Sequence, residues 1–95
     1  MLVTAQVSAL LFWACRNAKV VDGDLDEHVA LMKALRAKIA EDRFTDGEIA
    51  LDKSTWRYAE KVLTQHGGSG WPGELAESVP SAKALVKGAL EAAKP

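Results

Sequence analysis

With 95 residues, 48% of them hydrophobic and 26% charged, the chain has the composition of one folded domain rather than a disordered tail, with enough apolar residues for a modest core. Twelve Lys and Arg against 13 Asp and Glu leave a formal net charge of −1, so contact with nucleic acid or anionic lipid would require a local patch. The single cysteine, Cys15, excludes an internal disulfide and a cysteine-rich zinc site and points to a reducing compartment, by default the cytoplasm.

The residues before Arg16, MLVTAQVSALLFWAC, are nearly all apolar. No Lys or Arg supplies the basic start of a signal peptide, and Thr4, Gln6 and Ser8 interrupt a run already short of the roughly 20 residues that span a bilayer. A folded helix over about 4–18 is expected, with no membrane association. Its apolar residues do not keep to one face: Val3, Val7, Leu10, Leu11 and Ala14 form one stripe, while Ala9, Phe12 and Trp13 point the other way, around Arg16. Such a helix is either central in a bundle or turns its second face to a partner or to a copy of itself. The second option makes Phe12, Trp13 and Arg16 candidate partner-binding residues.

After the Asp22-Gly23 turn, a second helix is expected over about 24–43, with Asp24 and Glu27 spaced as a capping box. Leu25, Val29, Leu31, Met32, Leu35 and Ile39 make one wide apolar arc, read as a core face. His28 lies inside that arc without a metal-ligating companion and is read as a satisfied core or boundary histidine. Lys33, Arg36 and Arg43 form a basic strip, either a solvated face or a contact for nucleic acid or an acidic partner. The acidic turn opens like a calcium loop, yet its sixth and twelfth positions hold Glu27 and Lys33, which leaves a turn and a helix cap. The stretch Ala18 to Leu35 resembles the helix, acidic-glycine turn, helix arrangement of tellurite-resistance TerB-like helical domains. It covers under a quarter of the chain and transfers no site.

Thr45-Asp46-Gly47-Glu48 reads as a capping box for a short helix over 46–51, and Asp52-Lys53-Ser54-Thr55 as a second cap for a helix over 53–66. One continuous helix would bring Asp52 onto the apolar face with Ile49, Trp56, Ala59 and Leu63, a costly burial, so a break at Asp52 is expected. Trp56 and Tyr58 are assigned to the core and its boundary. Residues Phe44 to Leu63, FTDGEIALDKSTWRYAEKVL, resemble the wording of DNA-binding helix-turn-helix proteins, in which a Glu-Ile-Ala helix precedes a Ser/Thr-rich recognition helix. That resemblance implies Lys53, Ser54, Thr55 and Arg57 facing the groove. Leu51-Asp52-Lys53 departs from it, leaving the first helix about a turn too short.

The glycine-rich loop 67–73 begins with a glycine placed to cap the preceding helix. It lacks the Gly-Lys-Ser/Thr ending of a phosphate loop, and no strand precedes it. Trp71 within it either packs back as a lid on the core or stands out as a partner anchor. A last helix over 81–93 follows Pro80, with Ala82, Leu85, Val86, Ala89, Leu90 and Ala93 on one side. The fold expected is all-α, a single-domain bundle of four to five helices covering 1–95, without a sheet.

No Ser-His-Asp or Cys-His signature is present, no paired carboxylates in an evident cleft, and no motif for a common cofactor. Catalytic residues, cofactor and metal are therefore not expected. The leading reading is a small cytoplasmic interaction protein of the accessory, inhibitor or regulator type known from bacteria and phages. It would dock on a partner protein through Phe12, Trp13, Arg16 and Trp71, as a monomer or a homodimer. A helix-turn-helix nucleic-acid binder using residues 44–63 is the alternative, and a helical enzyme with an unrecognised site the third.

Overall fold

The computed structural model describes residues 1–65 and 70–93. The expected helix end at residue 66 and the capping glycine at 67 lie outside the described residues. Helix α1 (Ala5–Arg16) opens at Thr4, whose Oγ1 accepts the Val7 N–H at 3.2 Å. Asp46, far along the chain, accepts the Ala5 N–H at 2.7 Å. Two of the open donors of the first turn are thus met by side chains. α2 (Leu25–Arg36) follows a 3-10 turn, Asp22–Asp24. α3 (Lys53–Gln65) starts on Asp52, whose Oδ1 accepts the Thr55 N–H and both neighbouring hydroxyls. Those bonds, first the Thr55 hydroxyl, hold the Asp52 carboxyl below its usual range. α4 (Val79–Ala92) carries Pro80 in its first turn, where a missing N–H costs nothing, and is led in by a 3-10 segment, Gly73–Ser78.

The fold is 67% helical, so the expected mostly-α class holds. α1 is the hub, packing against α2, α3 and α4 and against the 3-10 segment. Val7, Leu10, Leu11, Ala14 and Cys15 are buried there with Leu31 and Leu35 of α2, Trp56, Ala59, Val62 and Leu63 of α3, and Ala82, Val86 and Ala89 of α4. Ser8 is fully buried as well, its hydroxyl without a hydrogen-bond partner among the described residues.

Short strands correct the expectation of no sheet. β1 (Leu2–Val3) pairs antiparallel with β4 (Gly47–Glu48), and β2 (Ile39–Ala40) with β3 (Arg43–Phe44). Helix two therefore stops at Arg36 rather than 43. Glu41 and Asp42 take left-handed φ values of 51° and 63° between β2 and β3, the backbone of a tight two-residue hairpin whose twist suits its strands. Thr45 closes the ladder by donating its N–H and its hydroxyl to the Lys38 carbonyl. The reversal brings the Phe44 ring within 5.5 Å of Phe12, burial that a continuing helix would forgo.

The helix expected over 46–51 is absent; Gly47–Glu48 is strand and Ile49 is buried from an extended segment. Its apparent capping residues serve other elements: Thr45 the hairpin, Asp46 the start of α1. The capping box at Asp24 and Glu27 does not form either, because the Asp24 carboxylate pairs with Lys61 on α3. In the arc assigned to the core on α2, Leu31, Met32 and Leu35 are buried, whereas Leu25 and Val29 are 54% and 56% exposed and Ile39 stands on the hairpin, 39% exposed.

Glu41 is a poor residue for a left-handed position, and Asn-Gly is the favoured pair for this turn. Replacing Glu41→Asn together with Asp42→Gly should stabilise the fold by about 1 kcal/mol, raising the melting temperature by roughly 4–8 °C for a chain of this size. Differential scanning calorimetry checks it; an unchanged or lower midpoint contradicts the turn geometry.

Candidate functional site

The C-terminal half of α1 carries Phe12, Trp13 and Arg16 on the side away from the Leu10–Ala14 core stripe. The apolar perimeter that the sequence leaves open is closed within the chain by the hairpin and by the stretch after the glycine run. Phe44 tilts at 60° to Phe12, and Trp71 lies against Trp13 with ring centroids 5.2 Å apart. Trp71 is thus a lid on α1 rather than a projecting anchor. The cover is incomplete, since Phe12 and Trp13 both stay half-buried.

Between them runs a groove of about 430 Å³, lined by Ala9, Phe12, Trp13 and Arg16 of α1, by Asn17 at its C-terminal cap and by Leu75 of the 3-10 segment. Arg16 places its guanidinium 5.9 Å from the centre of the Phe12 ring, and Asn17 Nδ2 donates to the Trp13 carbonyl at 2.9 Å. Among the described residues the groove therefore has aromatic walls and a single charged group, a cation held over a π face at its rim. Leu75 was not legible as a wall residue, because it reaches α1 only through the fold.

A larger cleft of about 630 Å³ lies between the start of α2 and α3, lined by Asp24, Glu27, Arg57, Tyr58, Glu60 and Lys61 among others. Some of its groups are paired, while Glu27 Oε2 is buried without a hydrogen-bond partner among the described residues. Lys61 pairs with Asp24, and the Tyr58 hydroxyl meets the half-buried His28 at Nδ1, 2.7 Å away. Burial, and then the neighbouring Cys15 and Asp24, push the Tyr58 phenol up to about 12, so it stays protonated at neutral pH. Burial alone pushes the Cys15 thiol to about 12, which leaves it an inert core residue. Among the described residues no three His, Cys, Asp or Glu side chains are placed to hold a metal ion.

The basic strip divides. Lys33 and Arg36 share one concavity on α2 with His28, Val29 and Met32, while Arg43 sits apart on β3. Lys53 begins α3 half-buried, and Arg57 faces the cleft containing Asp24, Glu27 and Glu60. Without a helix over 46–51, Lys53 and Arg57 belong to no helix-turn-helix. Among the described residues no helix is long and apolar enough to cross a membrane. No protein-family model, curated protein or solved structure matches the chain.

Proposed function

We propose that the chain is a small, non-catalytic interaction module, an accessory or regulatory protein of the cytoplasm. It docks the α1 groove onto a partner protein through an apolar side chain flanked by a carboxylate. The single observation behind this reading is the pairing of half-buried Phe12 and Trp13 with Arg16, the one charged residue lining the groove among the described residues. Half-exposed aromatics in a concavity are the usual anchors of binding energy, and a guanidinium over a ring favours a planar anion. Nucleic acid is less favoured, because Arg57 sits among three carboxylates and the neutral chain lacks a basic footprint.

A random-peptide display selection on the immobilised chain tests the proposal. Enriched peptides should carry Asp or Glu within a few residues of Leu, Phe or Trp. Their affinity should fall about tenfold with Arg16→Ala, a loss of about 1.4 kcal/mol suited to one charge-assisted contact. Trp13→Phe, which keeps a ring against Trp71, should weaken binding without unfolding the chain. Selection that enriches no such motif, or peptides that bind both variants as tightly as the wild type, would overturn the reading.

A further inference from the structure

The cleft between the start of α2 and α3 holds two opposite charges that do not meet. Two cross-links fix how its walls run: Asp24, which ends the 3-10 turn leading into α2, pairs with Lys61, and His28 meets Tyr58. A step forward on α2 is a step back on α3, so the walls are antiparallel. Glu27 stands three residues after Asp24 and Arg57 four residues before Lys61, each about one helical turn, roughly 5.4 Å, along from the ion pair. Both line the cleft, and they do so at the same level. At the first level acid and base close on each other. At the second, neither Glu27 nor Arg57 has an ion-pair partner among the described residues, and the buried Glu27 Oε2 meets no donor. The further carboxylate, Glu60, also lines the groove between α3 and α4, which puts it at the edge away from α2.

We propose that this cleft binds a free α-amino acid, its ammonium on the Glu27 carboxylate and its carboxylate on the Arg57 guanidinium. A carboxylate that has lost part of its hydration without gaining a donor attracts a cation more strongly than one in open water. The guanidinium fork takes a carboxylate through two parallel hydrogen bonds. An amino acid carries both charges on one carbon and so spans the gap that the two side chains leave. A simple amine would leave Arg57 unmatched, and a simple acid Glu27. Lys61 and Tyr58 do not compete for the ligand, being engaged by Asp24 and His28. The volume of about 630 Å³ falls in the range of small-molecule sites and leaves room for a side chain along Ser54 and Gln65. Two charge-assisted contacts in an open cleft make binding weak, with a Kd of about 0.1–1 mM.

Amide chemical shifts of the isotope-labelled full chain, titrated with each standard L-amino acid in turn, read the site. At least one amino acid should move the amides of residues 24–28 and 54–61 with that affinity. Its N-acetyl derivative lacks the ammonium and its α-amide lacks the carboxylate, and each should bind roughly tenfold more weakly. Glu27→Gln should cost the free amino acid about tenfold while leaving the N-acetyl derivative unaffected, and Arg57→Gln should do the same with the α-amide as the unaffected form. Both variants should keep the helical circular dichroism spectrum, and without ligand neither should melt below the wild type. The proposal is overturned if no amino acid moves these amides up to about 10 mM, tenfold above the weakest expected Kd. A derivative lacking either charge that binds as tightly as its parent, or a Glu27→Gln chain with full affinity, would also overturn it. So would a loss of thermal stability in both single variants that is not additive in the double one, since Glu27 and Arg57 would then be paired with each other. None of these results bears on the α1 groove, which shares no lining residue with the cleft and which the peptide selection reads separately.

Discussion

Leu31→Ala should lower stability by about 3 kcal/mol, whereas Leu25→Ala, on the same helix, should change it by less than about 0.5 kcal/mol. Leu31 is fully buried under α1 while Leu25 stands more than half in solvent. Truncation of the first removes transfer energy and leaves a cavity that rigid neighbours cannot fill; truncation of the second removes atoms that water already surrounds. In a chain of this length the larger loss corresponds to a fall in melting temperature of more than 10 °C. Thermal melts check the pair, and comparable losses in both variants would contradict the placement of α2.

Raising the pH from about 9 to 12 should unfold the chain progressively, through groups held neutral in the interior. Cys15 and Tyr58 ionise in the folded state only near pH 12, against ordinary values of 9.0 and 10.0. Both are acids whose folded pKa is raised, so the stability they confer is fully present below the unfolded pKa and is lost as pH rises towards the folded one. At roughly 1.4 kcal/mol per unit, Cys15 alone withdraws about 4 kcal/mol across its window, a large part of the 5–15 kcal/mol typical of a small domain. Urea midpoints measured from pH 7 to 12 should therefore decline steeply above pH 9. Cys15→Ala should flatten the first part of that decline and Tyr58→Phe the part above pH 10. A wild-type midpoint that holds level to pH 11 would show that neither group is sequestered.

The helices α1, α3 and α4 were legible because their apolar spacing, the Asp52 cap and the early Pro80 all agree on helix. What was not legible is decided at long range. Residues 37–43 contain no glycine or proline and favour helix locally, yet the chain turns at Glu41 and Asp42 because Phe44 gains Phe12 as a neighbour. Thr45 and Asp46 do act as caps and closures, as their residue types suggest, but on Lys38 and on Ala5, segments that no local pattern associates with them. On α2 the apolar arc is wider than its neighbours can cover, and periodicity cannot say that Leu31 faces inward while Leu25 does not. At the candidate site Phe12, Trp13 and Arg16 were readable as a side-by-side group on one helix, whereas Leu75 completes the groove only once the later 3-10 segment has docked.

The hub position of α1 also has a meaning for biosynthesis. A ribosome makes this helix before any of the elements that enclose it, and its last covering helix, α4, is the final one to emerge. At about 5–20 residues per second, the aromatic flank and the Leu10–Ala14 stripe spend several seconds without their native neighbours, and the first turn waits for Asp46 to be made before its Ala5 donor is met. A nascent chain arrested before residue 79 should therefore recruit holding chaperones through α1, and release from them should coincide with the emergence of α4.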